Sequence, residues 1–210
     1  MQEFTDSKGE VFKLYPEIRD YLKVDWKEMF APFGDCEVAG EATKNKKKEA
    51  VKDTVELFSR IGYSLKGKRI LEIGCHHGYV SYLFGEIGSE VVGIDIPEYG
   101  LLQNKELLND PRGIERERNK TKKSRELLSK DFSNEVVNRV SFQELDACKM
   151  SFDNEFDVII STDVLEHIQD TQSLFRNMHR ALKKNGVMFH FFNPFFSMSG
   201  GHSLCTLDFR

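Results

Sequence analysis

The spacing of apolar positions changes near residue 67 and divides the chain into two parts. Residues 1–66 carry no clear strand alternation. They include Pro16, Pro32 and a basic run at 44–48, then a helical spacing through Val51, Val55, Leu57, Phe58 and Ile61. This part reads as an N-terminal helical cap. From 67 to 210, short apolar runs at 69–73, 90–96, 140–146, 156–162 and 187–193 alternate with helical stretches. Such alternation predicts βαβ units, hence an α/β domain with a doubly wound, mostly parallel sheet. The connection at 97–139 is longer than one crossover helix needs and reads as an insertion. Within it, residues 112–130 intersperse Arg and Lys with Glu115, Glu117 and Glu126, which predicts an exposed charged helix hinged at Pro111 and Gly113. The last run, 186–193, is apolar on both faces, as in a central parallel strand with a neighbour on each side. After Asn193 the chain has room for a loop or one helix.

Composition narrows the classes. A chain of 210 residues suits one medium-sized domain with a substantial core. A net charge of −4 provides no global field for nucleic acid. The charged helix alternates sign without interleaved aromatics, which favours a solvated face over a nucleic-acid patch; a lid over a substrate is the other reading. Cys36, Cys75, Cys148 and Cys205 are scattered and form no C-x-x-C pair, as expected in a reducing compartment. No apolar run has the length of a membrane span, and the first six residues lack the features of a signal peptide. A soluble cytoplasmic protein is expected.

The candidate chemistry begins at Leu71-Glu72-Ile73-Gly74-Cys75-His76-His77-Gly78, which closes one apolar strand and precedes a helical pattern. A glycine turn feeding a helix N-terminus is a place for an anionic or nucleoside group. By itself this signal is weak. Glu72 sharpens it, because a carboxylate at the lip of the turn repels a pyrophosphate but attracts an ammonium or a sulfonium. Asp95, at the end of the next strand, is placed to accept hydrogen bonds from ribose hydroxyls. The bland alternative makes Glu72 a strand-end charge and Asp95 a turn residue.

At these residues the chain resembles the class I S-adenosylmethionine-dependent methyltransferases, whose first motif runs acidic-x-Gly-x-Gly-x-Gly. His76 stands where that family usually has its middle glycine, and a histidine with extended-region dihedrals would be tolerated there. The resemblance implies a Rossmann-like fold with S-adenosylmethionine as cofactor, held by Glu72, Gly74, Cys75, His76, Gly78, Asp95 and Ile96. It also places Asp146 and Ala147, after the third strand, against the adenine, although Asp146 serves equally well as a helix N-cap. Ser161 and Thr162 end the fourth strand beside the topological switch point, where they are expected to meet the methionine moiety. The family normally completes its sheet with a C-terminal hairpin. That hairpin has no counterpart here, so the domain at 67–210 is expected to be C-terminally truncated.

Asp163, Glu166 and His167 follow the fourth strand at i, i+3 and i+4, sharing one face if that turn is helical. Three readings stand. His167 is a general base, since imidazole ionises near neutrality. Alternatively the two carboxylates and His167, with His190 or His202, hold a divalent metal, as a similar motif does in small-RNA 2′-O-methyltransferases. Or the Glu-His pair only packs the turn. His202, after Gly200-Gly201, is a second candidate base. The expected function is methyl transfer to an oxygen or nitrogen of a small molecule. The alternatives are an NAD-dependent oxidoreductase, disfavoured by Glu72, and a non-catalytic cofactor-binding scaffold.

Overall fold

The computed structural model describes residues 3–5, 9, 11–13, 40–97 and 111–192. The chain divides into two compact units, residues 1–34 with 193–210, and residues 35–192. In the first unit, β1 (Glu3–Thr5) pairs antiparallel with β2 (Val11–Lys13), Phe4 lying opposite Phe12. A helical cap was expected here. Three-residue strands are too short for a two-residue alternation to show in sequence.

The second unit begins with α1 (Glu41–Arg60), which turns Val51 and Phe58 inward and packs on α2 (Tyr79–Glu86). The helix runs through the basic stretch at 44–48 as well as the apolar spacing that followed it. It belongs to the same compact unit as the sheet.

Five parallel strands form the sheet: β3 (Arg69–Ile73), β4 (Glu90–Asp95), β5 (Val140–Glu144), β6 (Phe156–Thr162) and β7 (Leu182–Phe191), in the order β5-β4-β3-β6-β7. Side chains alternate across a strand, so Ile70 packs on one face of β3 while Leu71 and Ile73 pack on the other. The first face carries α1 and α2. The second carries α5 (Thr171–Ala181), through Leu174, Met178 and Ala181. Both faces are therefore apolar and covered, which is why the strands read as continuous hydrophobic runs. The order reverses at β3 and β6, and their carboxyl ends mark the crevice where open α/β sheets take ligands.

The insertion contains α3 (Pro111–Ser129) and the short α4 (Asn134–Asn138), which is capped by the Ser133 hydroxyl. α3 is not solvated all round. Gly113, Glu117, Ser124 and Leu128 form a buried stripe at helical spacing. Three of the four are not hydrophobic, so the sequence pattern hid the stripe.

β7 starts five residues before the expected strand and shifts register against β6 between Phe156 and Val158. Among the described residues it bonds only to β6, and Met188 and Phe191 are exposed. The tail beyond residue 192, with His202, lies outside the described residues. No described helix is long and apolar enough to cross a membrane.

Candidate active site

The turn after β3 is fixed by the backbone. The N–H groups of Gly74 and Cys75 donate to the Ile94 carbonyl at 2.9 and 3.2 Å, and Gly78 N–H closes the loop on Cys75 O at 2.7 Å. Gly74 and Gly78 both have positive φ, +74° and +79°. Side chains there would also collide, with Val164 and with the Phe142 ring respectively. Gly78 then caps α2, whose first bond runs from Tyr82 N–H to Gly78 O at 3.1 Å.

His76 has φ +47°, in the left-handed region and not the extended one in which a histidine is readily tolerated. This is the conformation a glycine adopts at little cost, and it explains why glycine suits the position. Three contacts hold the histidine there. Its N–H donates to Asp95 Oδ2 at 2.6 Å, its ring lies 3.7 Å from that of His77, and its carbonyl accepts from Arg125 at 2.6 Å. The other Asp95 oxygen accepts from Ile96 N–H at 2.7 Å.

Glu72 is buried and accepts a hydrogen bond from the Ser81 hydroxyl on α2. Burial pushes its carboxyl up to about 7, against the opposing pull of the Ser81 bond and of Lys47. Cys75 is likewise buried, and desolvation followed by the Glu72 charge holds its thiol well above the ordinary range. It is a packing thiol, not a thiolate. Burial, reinforced by His76 and nearby cations, takes His77 down to about 3, so its imidazole is neutral.

These elements border one open cavity of about 1420 Å³ at the carboxyl ends of β3, β4, β5 and β6. Glu72, Gly74, Cys75, His76, Asp95, Ile96, Asp146, Ala147 and Thr162 all line it, so the structure brings together most of the cofactor residues expected from sequence. Gly78 lies behind the turn, against Phe142. Ser161 does not reach the cavity. It is fully buried, and its hydroxyl pairs with His190 Nδ1 at 2.7 Å. Strand alternation explains this: Ile160 and Thr162 take the cavity face and Ser161 the opposite one. Asp146 caps its own turn, accepting from Cys148 N–H at 2.8 Å and facing Lys149 Nζ at 3.1 Å, while still bordering the cavity.

The segment after β6 is not an α-helix. Asp163 has φ +54°, and only Leu165–His167 forms a 3-10 turn, so the helical face proposed for Asp163, Glu166 and His167 does not form. Among the described residues no group of three or more His, Cys, Asp or Glu is placed to hold a metal ion. His190, named with them, is committed to Ser161. His167 and His76 are the described histidines that line the cavity.

Sequence reasoning missed two residues. Lys47 of α1 borders the cavity, and its charge reaches Glu72 and His77. Arg125 of α3 reaches the turn from the insertion. Each lies in a charged helical stretch where nothing in the pattern separates it from its solvated neighbours.

Comparison with known proteins adds to this geometry. A family model described as a methyltransferase domain matches residues 44–192. Among curated proteins, the chain is similar to a ubiquinone biosynthesis O-methyltransferase of Actinobacillus pleuropneumoniae, 30% identical over 125 residues, covering 60% of this chain and 45% of that protein. An enzyme of the same name from Pseudomonas aeruginosa is 27% identical over 127 residues, covering 60% and 44%. The chain thus spans less than half the length of these relatives. Among solved structures, a glycopeptide N-methyltransferase, MtfA, complexed with sinefungin superposes with a TM-score of 0.50 at 13% identity, covering 74% of this chain and 55% of that one. That likeness is one of fold.

Proposed function

The chain belongs to the methyltransferase-domain family, of the class I S-adenosylmethionine-dependent type, and from that premise we propose that it transfers a methyl group to an oxygen or nitrogen nucleophile of a small molecule. The observation that carries the proposal is the buried Glu72 carboxyl at the turn, bordering one cavity with Asp95 and Asp146. Its proton affinity is raised because burial leaves its charge under-compensated. A cation fits such a site and a pyrophosphate does not, which argues for an amino-acid sulfonium cofactor over a dinucleotide.

S-adenosylmethionine, when bound, supplies a methyl group already activated on sulfur. The protein's own task is to bind, align and exclude water. In this reading Glu72 holds the ammonium and Lys47 the carboxylate of the amino-acid end. Asp95 takes the ribose hydroxyls, with both of its oxygens already oriented by His76 and Ile96 N–H groups. Ile96, Asp146 and Ala147 border the adenine. Gly74, Cys75, His76 and Gly78 contribute backbone shape, and Thr162 borders the reacting end. Ser161 supports the strand from behind through His190. His167 is the base that removes the acceptor's proton where the acceptor is protonated. The names of the curated relatives favour an oxygen nucleophile.

The test is calorimetric titration with S-adenosylmethionine and with NAD, followed by a methyl-transfer screen that reads release of S-adenosylhomocysteine. Binding of the methyl donor with turnover on at least one hydroxyl or amine acceptor is expected. Binding without turnover on any acceptor would mean a non-catalytic scaffold, and binding of NAD alone would overturn the reading.

A further inference from the structure

Arg125 of α3 reaches the cofactor turn. Arg125 donates from Nη2 to the carbonyl of His76 at 2.6 Å and approaches Cys75 Sγ at 3.5 Å. Its guanidinium lies 4.2 Å from the centroid of the Phe142 ring. That ring occupies the space a side chain would need at Gly78 and at Gly93, so it fills the underside of the turn. Two helical turns earlier on the same helix, Arg118 grips Glu144 at the end of β5 with two bonds, of 2.7 and 2.5 Å. Residues seven apart share a helix face, so α3 is anchored to the strand end by one arginine and to the turn by the other.

The peptide that Arg125 holds follows the one residue of the turn whose conformation is unfavourable for its side chain, His76 at φ +47°. A charged, planar donor is suited to such a place, because it fixes the direction of the carbonyl while stacking on an aromatic face.

We propose that Arg125 is a positioning residue, which stabilises the left-handed peptide at His76 and so presets the turn and its bond to Asp95 for the cofactor. The proposal deepens the methyl-donor reading and rests on it for its functional consequence. The clamp itself is a property of the unliganded turn. It also gives the insertion a role other than solvated surface or lid.

Four variants of the full 210-residue chain test it: Arg125→Ala, Arg125→Lys, His76→Gly, and the double variant His76→Gly/Arg125→Ala. S-adenosylhomocysteine affinity is measured by calorimetry, and amide hydrogen exchange of residues 75–78 is measured without ligand. Arg125→Ala is expected to weaken binding about tenfold and to accelerate exchange at His76 and Gly78, by loss of one charge-assisted bond. Arg125→Lys restores part of the affinity, since it keeps the charge without the planar fork. With glycine at position 76 the left-handed peptide needs no clamp. The double variant should then bind within about threefold of His76→Gly alone and show no added exchange, the signature of two coupled sites. Equal losses from Arg125→Ala in both backgrounds, or unchanged exchange in Arg125→Ala, would overturn the proposal. Should the wild-type chain not bind S-adenosylhomocysteine, the methyl-donor reading falls, and the exchange arm alone decides the clamp.

Discussion

Glu72→Gln separates the stability of this fold from its affinity for a cation. Folding lifts the Glu72 carboxyl from its ordinary 4.5 to about 7, chiefly because burial disfavours the charge. The folded protein therefore binds this proton more tightly than the unfolded chain does. The stabilisation is complete below pH 4.5, declines as pH rises, and is gone above about 7. With one pKa unit worth about 1.4 kcal/mol, ionising the buried carboxyl costs about 3 kcal/mol. Glutamine has the same shape, keeps an oxygen for the Ser81 hydroxyl and never ionises. The unliganded variant is expected to exceed the wild type at pH 8 by about 1–3 kcal/mol, the lower figure allowing for the charge-assisted bond it gives up. For a chain of this size that is a rise in Tm of about 3–10 °C. Near pH 5, where the wild-type carboxyl is protonated, the difference closes. Scanning calorimetry across pH 5–8 measures it. The same change should weaken S-adenosylmethionine binding and abolish its pH dependence. In the wild type, affinity should rise between pH 5.5 and 7 by up to about tenfold per pH unit, as the arriving cation displaces the proton. A stability difference that stays flat with pH, or a variant less stable at pH 8, would refute the assignment of an under-compensated buried charge.

Three further expectations follow from the turn and its border. Asp95→Ala should weaken cofactor binding by at least about tenfold, since it removes charged acceptors that also hold the His76 and Ile96 N–H groups, whereas His76→Gly should stay within about threefold. The reverse ranking in a titration would mean the turn is wrongly placed. Gly78→Ala combines a left-handed φ with a collision against Phe142 and should destabilise by about 2–5 kcal/mol in urea titration; a loss below about 0.5 kcal/mol would show that the ring yields freely. His167→Ala should lower kcat on a hydroxyl acceptor by about a hundredfold or more without altering cofactor Kd, and an unchanged kcat would return His167 to a structural role.

The sheet was legible in the sequence because both of its faces are buried. Runs such as 69–73 and 156–162 are then continuously apolar, and the strands formed at those positions. The convergence of Glu72, Asp95 and Asp146 on one cavity was legible because strand ends at a switch point converge wherever the intervening chain goes. What escaped depends on dihedrals and on helix faces. The left-handed His76 and Asp163 carry only a weak local signal, since His and Asp tolerate positive φ better than most residues yet adopt it at few of their positions. The side chain of Ser161 turns away from the cavity because one residue along a strand changes the face, and the fourth-strand motif does not say which of Ser161 and Thr162 faces the cavity. Lys47 sits in a basic run and Arg125 in a helix of mixed charge, where a cation with a specific partner resembles any solvated one.

In the proposed methyl-donor reading, Asp95 enters the binding reaction with its rotamer already chosen. An exposed carboxylate that captures a diol must give up its side-chain freedom at that moment, and ordering such a group costs about 0.5–1.5 kcal/mol. Here the two backbone donors have frozen it during folding, so the entropy is lost once, with the core, and not at every encounter. The bond from His76 N–H also ties the turn after β3 to the end of β4. In that proposed reading a nucleoside meets a turn and a strand end that are already bonded to each other.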